Sequence, residues 1–352
     1  MKNLLLASTA LIGFAGVAAA EVVIEGSAEM GVTGGDLKET QFHNSYNINF
    51  KMSGETDTGL SFGATYRLDA DGSSEENQNP AGDNGTVFPS GAFGKLTLGD
   101  TDGALDWAMT ETAMGTAITD EGTTHVGYNG NSTGDGLNDD QVLRYEYAFG
   151  DFGVALSVEQ DDGNFSANGV TTPDTIGGTI LNPVIIPGTT TPGESSGEGD
   201  PIIALGGKYA AEMSGVALAF GLGYQTGEDR FDAGAGLVGY EKFEAYGVSA
   251  KAAMDNGFSI VLNYSTFDYD DSDAGDYDHM GVGLGYEMGA LLLHANYGKY
   301  DIDGGDDVDG YGLIANYDLG GGAILAAGYA SDVDAGEDGD QNQFSLGMSL
   351  SF

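Results

Sequence analysis

Every second residue is apolar through sixteen short segments of this chain, and the links between segments alternate between short and long. The segments run 21–32, 42–52, 59–69, 85–90, 94–100, 141–150, 152–160, 202–212, 216–225, 243–253, 257–267, 278–288, 290–300, 309–318, 322–330 and 341–352. Period-two alternation is the mark of a strand with one apolar and one polar face. Short links such as Gly150–Asp151 and Met288–Gly289 alternate with long ones such as Asp69–Gly85 and Asp161–Asp200. Two kinds of hairpin end imply two different surroundings. The pattern predicts an all-β, transmembrane, antiparallel up-and-down β-barrel of 16 strands, with tight turns on one side and long polar loops on the other.

The facing of individual segments agrees. In Gly59–Asp69 the apolar side carries Leu60, Phe62, Ala64, Tyr66 and Leu68, and the other carries Ser61, Gly63, Thr65, Arg67 and Asp69. The last segment sets Phe344, Leu346, Met348, Leu350 and Phe352 against Ser345, Gly347, Ser349 and Ser351. Apolar-side aromatics gather toward both ends: Phe50, Phe62, Phe149, Phe152, Phe258, Tyr286, Tyr317 and Phe352 near the short turns, and Tyr66, Tyr224, Tyr246, Tyr264, Tyr297, Tyr311, Tyr329 and Phe344 near the long loops. Two such belts match the aromatic girdles of membrane interfaces. A soluble β-sandwich or β-helix would also alternate, but would give no reason for rings at both ends.

Composition narrows the function classes. The 352 residues include no cysteine, which excludes disulfide scaffolds and thiolate sites. Residues 1–20 read as a secretory signal: Lys2, the apolar core Leu4–Val17, then Ala18-Ala19-Ala20 before Glu21. Without that segment, 10 basic residues face 55 acidic ones, a charge of −45. So acidic a chain binds no nucleic acid by bulk attraction. No other apolar run is long enough for a spanning helix.

Sixteen strands enclose a space too wide for side chains to fill, so the cavity should hold water. One link, Asp100–Asp140, differs from the rest. It holds the only tryptophan, Trp107, and moderately apolar stretches such as Ala113–Ile118. A loop meant only for solvent should be more polar, so it is expected to fold inward and narrow the pore; an external flap is the alternative. Folded inward, its carboxylates Asp100, Asp102, Asp106, Glu111, Asp120 and Glu121 would form an acidic rim. Lys51, Arg67, Lys95, Arg144 and Lys208 fall on the inward phase of their strands and would supply a basic wall, or ordinary lumen ion pairs. The carboxylate excess predicts weak to moderate cation selectivity. Residues 161–200 read as a long exposed loop, rich in Thr, Pro and Gly.

Other chemistry finds less support. His43, His125, His279 and His294 have no nucleophile and carboxylate at a recognised spacing, so an enzyme is not expected. Gly281, Gly283 and Gly285 imitate a nucleotide fingerprint without the strand–helix context it requires. Asp268, Asp270, Asp273, Asp332 and Asp334 are spaced as hard-oxygen ligands that could hold calcium loosely, but no full EF-hand pattern appears. The simpler reading is a solvated acidic surface, bridged to lipopolysaccharide by divalent ions. No resident cofactor is expected. Three classes remain open: a general diffusion channel, a solute-specific channel, which inward aromatic platforms would mark and which the segments do not display, and a secreted calcium-binding or adhesive β-protein.

The stretch Phe50-Lys51-Met52-Ser53-Gly54-Glu55-Thr56-Asp57-Thr58-Gly59-Leu60-Ser61-Phe62-Gly63-Ala64 resembles the second and third strands of the general diffusion porins of alphaproteobacteria, the group typified by Rhodobacter porin. Val87–Asp100, Tyr311–Gly322 and the terminal Phe352 are similar to that family too. The resemblance implies a homotrimer of sixteen-stranded barrels in the Gram-negative outer membrane, passing small hydrophilic solutes and ions, with the third long loop folded inward. It also implies that Phe352 serves as a signal for outer-membrane assembly. The chain lacks the Pro-Glu-Phe-Gly stretch of the enteric porins and is poor in arginine.

Overall fold

The apolar faces found in the sequence wrap the outside of a closed sheet. The strands are β1 (Glu21–Gly35), β2 (Gln41–Glu55), β3 (Ser61–Asp71), β4 (Gly85–Gly91), β5 (Gly94–Gly99), β6 (Val142–Phe149), β7 (Phe152–Glu159), β8 (Val170–Thr171), β9 (Thr175–Thr179), β10 (Asn182–Ile186), β11 (Thr190–Thr191), β12 (Ile202–Met213), β13 (Val216–Gly234), β14 (Leu237–Met254), β15 (Phe258–Tyr269), β16 (Tyr277–Met288), β17 (Leu291–Ile302), β18 (Val308–Gly320), β19 (Ala323–Ser331) and β20 (Asn342–Ser351), with one helix, α1 (Ala104–Ala108). This computed structural model describes residues 20–71, 85–131, 133–134, 141–161, 170–171, 175–179, 182–186, 190–191, 199–234, 237–270, 275–333 and 341–352. The signal segment 1–20 lies outside the described residues except for its last.

Strands β1–β7 and β12–β20 form the barrel, each paired antiparallel with its chain neighbour. Pairing of β1 with β20, from Ser27↔Ser351 to Gly35↔Gln343, closes it. Closure leaves no free sheet edge, which a hydrocarbon surround demands. The outward rings stand exposed, among them Phe62, Phe149, Phe152, Tyr246, Tyr264 and Tyr317. Asn44, the polar exception in the outward set of β2, donates its amide to the Tyr46 hydroxyl at 2.9 Å. At the tight turn between β16 and β17, Gly289 adopts φ +64°, a left-handed conformation that side-chain-bearing residues rarely take.

All sixteen expected strands are present. Two regions depart from the sequence reading. Residues 226–234 and 237–242, expected to lie in a loop, continue the β13–β14 ladder through Glu228↔Lys242 and Asp229↔Glu241. Apolar alternation marks only the lipid-facing part of a strand; beyond it the ladder keeps its backbone hydrogen bonds without the pattern. Within 161–200 two short pairs form, β9 with β10 and β8 with β11. The expected exposure of that loop lies outside the described residues, since only short backbone stretches of it are described.

Candidate functional site: a loop folded back on the inner wall

Residues 100–131 and 133–134 lie inside the barrel and cover the inner wall from β7, through β12 and β13, round to β1. They do so in two tiers. The first pass runs over 104–119. Leu105 sits over Gly223, where an added Cβ would come 2.8 Å from the Leu105 Cα, and Thr112 lies over Gly283. Ile118 reaches Gly31 and Gly347. Glycine at these inward positions lets backbone approach backbone, which any larger side chain would prevent. Hydrogen bonds fix the path: Ala104 N–H donates to Ser157 Oγ at 2.8 Å, Thr110 N–H to Ser249 Oγ at 2.9 Å, and Thr116 N–H to Asn316 Oδ1 at 2.9 Å.

The chain then reverses near Asp120, a non-glycine residue at φ +52°. The second pass returns nearer the long-loop end of the same strands. His279 Nε2 lies 2.9 Å from the Gly127 carbonyl oxygen, Asn129 Nδ2 donates to Ser265 Oγ at 2.9 Å, and Gln225 Nε2 donates to the Thr133 carbonyl at 3.0 Å. The Tyr128 hydroxyl donates to Glu111 Oε2 at 2.6 Å and ties the tiers together. The apolar stretches that set this loop apart in sequence are its wall-facing side: Ala104, Leu105, Ala108, Ala117 and Ile118 are buried.

The six acidic residues proposed for the rim do not share one environment. Asp100 is exposed at the end of β5, with its N–H donating to the Gly85 carbonyl at 3.1 Å. Asp102 is exposed beside Arg144, its Oδ2 3.7 Å from Nη1. Asp106, half-buried on α1, acts with Asp102 and Glu146 on the Lys208 ammonium. Glu111 and Asp120 are exposed at the loop surface. Burial of part of the Glu111 carboxyl still pushes it above the ordinary carboxylate range, against the Tyr128 hydrogen bond; burial, then the charge of Glu121, does the same to Asp120. Glu121 corrects the expectation of a water-facing rim. It is 0 % exposed, packs against Gly328, accepts from Ser345 Oγ at 2.6 Å and also accepts from Thr119 Oγ1. The loop's reversal turns consecutive carboxylates to opposite sides.

Each of the five basic residues has a close neighbour. Lys51 Nζ lies 2.6 Å from Glu25 Oε2, and Arg67 Nε lies 2.6 Å from Asp69 Oδ1. Lys95 sits over the Phe88 ring at 4.8 Å. Arg144 holds Glu146 at 3.1 Å and donates to the Asp102 carbonyl. Lys208 rests on the Trp107 ring, 3.7 Å from its centroid. Lys51, Arg67 and Lys95 lie on β2, β3 and β5, the arc that the described part of the loop leaves uncovered, and Arg144 on β6 meets the start of the loop. The terminal Phe352 is exposed, and its backbone exchanges hydrogen bonds with Gly26.

Three features escaped the sequence reading. Lys251 faces inward on β14, close enough for its charge to act on His294; the same phase rule would have found it. Inward aromatics do exist. Phe243 stacks on Phe267 with ring centroids 4.8 Å apart, Phe267 on Tyr277 at 5.5 Å, and Tyr277 meets Tyr300 edge-on at 5.2 Å. Phe243, Phe267 and Tyr300 are the end residues of their alternating segments and Tyr277 lies one residue beyond its own, all on the inward phase. His125 is buried against β17, its Nε2 2.7 Å from Asn296 Oδ1, and burial pushes its pKa down.

Those of the proposed calcium residues that are described are not brought together. Asp268 lies on β15 and Asp332 just beyond β19. The Asp270 N–H donates to the Lys242 carbonyl, while Asp273 and Asp334 lie outside the described residues. Among the described residues no three metal-ligating side chains cluster.

A family model of the Gram-negative porins matches residues 7–348. The porin of Rhodobacter capsulatus is 38 % identical over 144 residues, which span 39 % of this chain and 44 % of that protein, less than half of its length. A solved porin structure refined at 1.8 Å resolution superposes with a TM-score of 0.66 at 26 % identity, covering 94 % of this chain and 100 % of the other. A mutant of the Rh. blastica porin gives a TM-score of 0.62 at 19 % identity over the same shares, a likeness of fold. The family model spans nearly the whole chain, and this protein belongs to the Gram-negative porin family, whose place is the outer membrane.

Proposed function

We propose that this barrel is a water-filled channel for passive diffusion of small hydrophilic solutes and ions across the outer membrane, and that it prefers cations. The observation that carries the reading is the position of the loop. Its described residues lie along one arc of the wall, rather than across the cavity, and leave the arc of β2–β5 uncovered. Asp102, Glu111 and Asp120 are exposed on the loop. Lys51 and Arg67 on the bare arc each have a carboxylate neighbour, which offsets much of their charge. The carboxylate excess therefore dominates the field felt by a passing ion.

The assembly we propose is a homotrimer, exported by a cleaved signal segment and surrounded by outer-membrane lipid and lipopolysaccharide. It needs no cofactor and no nucleic acid. Divalent ions would bridge its exposed acidic loops to lipid phosphates. The inward aromatic cluster invites a solute-specific reading. Its innermost rings, Phe243 and Phe267, are buried, however, and offer no free stacking face. The test is a planar-bilayer recording of the purified protein. Ohmic steps grouped in threes, following bulk ion mobility and with a cation-signed zero-current potential in a salt gradient, are expected. Absence of conductance, or strong block by one solute class, would reject general diffusion.

A further inference from the structure

Trp107 and Lys208 form a contact that the rim-and-wall description does not explain. On the inner face of the sheet, Lys208 pairs with Gly153 on β7 and with Gly221 on β13. Neither neighbour has a side chain, so neither direct cross-strand partner can hold the Lys208 ammonium. The space above both glycines is taken by α1. A Cβ on Gly221 would collide with the Ala108 carbonyl, and one on Gly153 would come 3.2 Å from Trp107 Cη2. The indole is thus wedged over the gap, and the Lys208 ammonium lies 3.7 Å from its centroid. Asp102, Asp106 and Glu146 act on that ammonium through space, as does Arg144 with opposite sign.

A cation over an indole face is held by the ring quadrupole, and the attraction grows where water is partly excluded. Both residues are half-buried. Lys is otherwise a flexible, strongly hydrated charge, free to extend into an aqueous cavity. We propose that Trp107 is a selectivity-positioning residue: its indole keeps the Lys208 charge against the acidic first turn of the loop and out of the open channel. The assignment rests on the barrel conducting ions. It explains why the single tryptophan of the chain stands at this point of the loop. It also makes the effective charge of the channel depend on a neutral side chain.

The measurement is the cation-to-anion permeability ratio, from zero-current potentials of the trimer in a potassium chloride gradient, for the parent, Trp107→Leu, Lys208→Gln and the double variant. In Trp107→Leu the ammonium is released toward the lumen and the ratio falls about two- to threefold, the effect of one unit charge moved several ångströms in an aqueous cavity. Lys208→Gln raises the ratio. In the Lys208→Gln background, Trp107→Leu changes nothing further. Trp107→Phe, which keeps a weaker ring face, gives an intermediate fall and guards against failed assembly of the leucine variant. The coupling fades near 1 M salt, where the Debye length is about 3 Å. An equal fall in both backgrounds, persisting at high salt, would mean that Trp107 acts through pore size and would overturn the inference. No change in either background would overturn it too. Because only differences between variants are read, the result does not depend on which ion the parent prefers. A parent that conducts nothing would reject the channel reading itself, and this inference with it.

Discussion

The two arcs of the inner wall are built from the same alternating strands, yet they use their inward positions in opposite ways. On β12–β20 and β1 those positions hold Gly223, Gly283, Gly347, Ser249, Asn316 and Ser345, which are small enough, or suitably polar, to receive a chain laid against them. On β2, β3 and β5 they hold Lys51, Arg67 and Lys95, long charged side chains set beside Glu25, Asp69 and the Phe88 ring. The loop needs close approach and hydrogen-bond partners, so small and polar residues stand where it touches the wall, while the same arc still carries Lys208, Lys251 and the inward rings Phe243 and Phe267 between those points. The bare arc has no such duty and carries charge. One periodicity therefore encodes two surfaces, distinguished only by side-chain size and polarity at every second position.

The largest expected effect comes from making the lined arc resemble the bare one. Gly223→Val would drive a branched side chain into Leu105, with nothing but the loop to yield. Overpacking of this kind costs about 3 kcal/mol, read as a lower unfolding temperature of the detergent-solubilised barrel and an altered unit conductance. Asn49→Val, on the bare arc, is expected to stay within about 0.5 kcal/mol. Equal effects would erase the distinction between the arcs.

At the border between the arcs stands Arg144. Its side chain is 8 % exposed, and it clamps the start of the loop through the Asp102 carbonyl and Glu146. Arg144→Gln leaves those acceptors poorly matched in a buried site and should cost about 2 kcal/mol in thermal unfolding. The exposed pairs Lys51–Glu25 and Arg67–Asp69 contribute under about 1 kcal/mol each to stability. Neutralising Lys51 and Arg67 should nonetheless move the zero-current potential toward stronger cation preference. An unchanged potential would remove the bare arc from the account of selectivity.

The subtlest effect is that of pH. Glu111 and Asp120 hold their protons above the ordinary carboxylate range because the loop's packing partly buries them. Acidification from neutral pH therefore discharges them before the exposed loop carboxylates, and cation preference should begin to fall above the usual carboxylate titration. Glu111→Gln with Asp120→Asn should abolish that early component. The sign for stability is opposite to that of a paired acid. The folded state binds these protons more tightly than the unfolded chain, so their contribution favours folding in mild acid and is lost as pH rises through the raised values.

The barrel was legible in the sequence because lipid imposes a period of two on every strand it touches. The inward course of the loop was legible through Ala113–Ile118, whose apolar character matches a buried face. Its doubling back was not. Asp120 and Glu121 are adjacent acids in sequence, and only the reversal sends one to water and the other under Ser345. The extension of β13 and β14 was hidden for a different reason: beyond the lipid-facing part no apolar alternation marks a strand, although the ladder continues through Glu228↔Lys242. Lys251 shows the converse, since its phase was plain and its inward direction follows from it.

The central claim is that the loop lies on the wall and leaves the channel open beside it. Thr119 Oγ1 and Thr33 Oγ1 are 3.4 Å apart, one on the loop and one on β1, and the chain has no cysteine. Cysteines placed at both positions should therefore form a disulfide on oxidation, and single-channel conductance should stay at its parental value with the bond closed. Failure of the bond to form, pairing of a cysteine at 119 with one at Asn49 instead, or loss of conductance on oxidation would contradict the account.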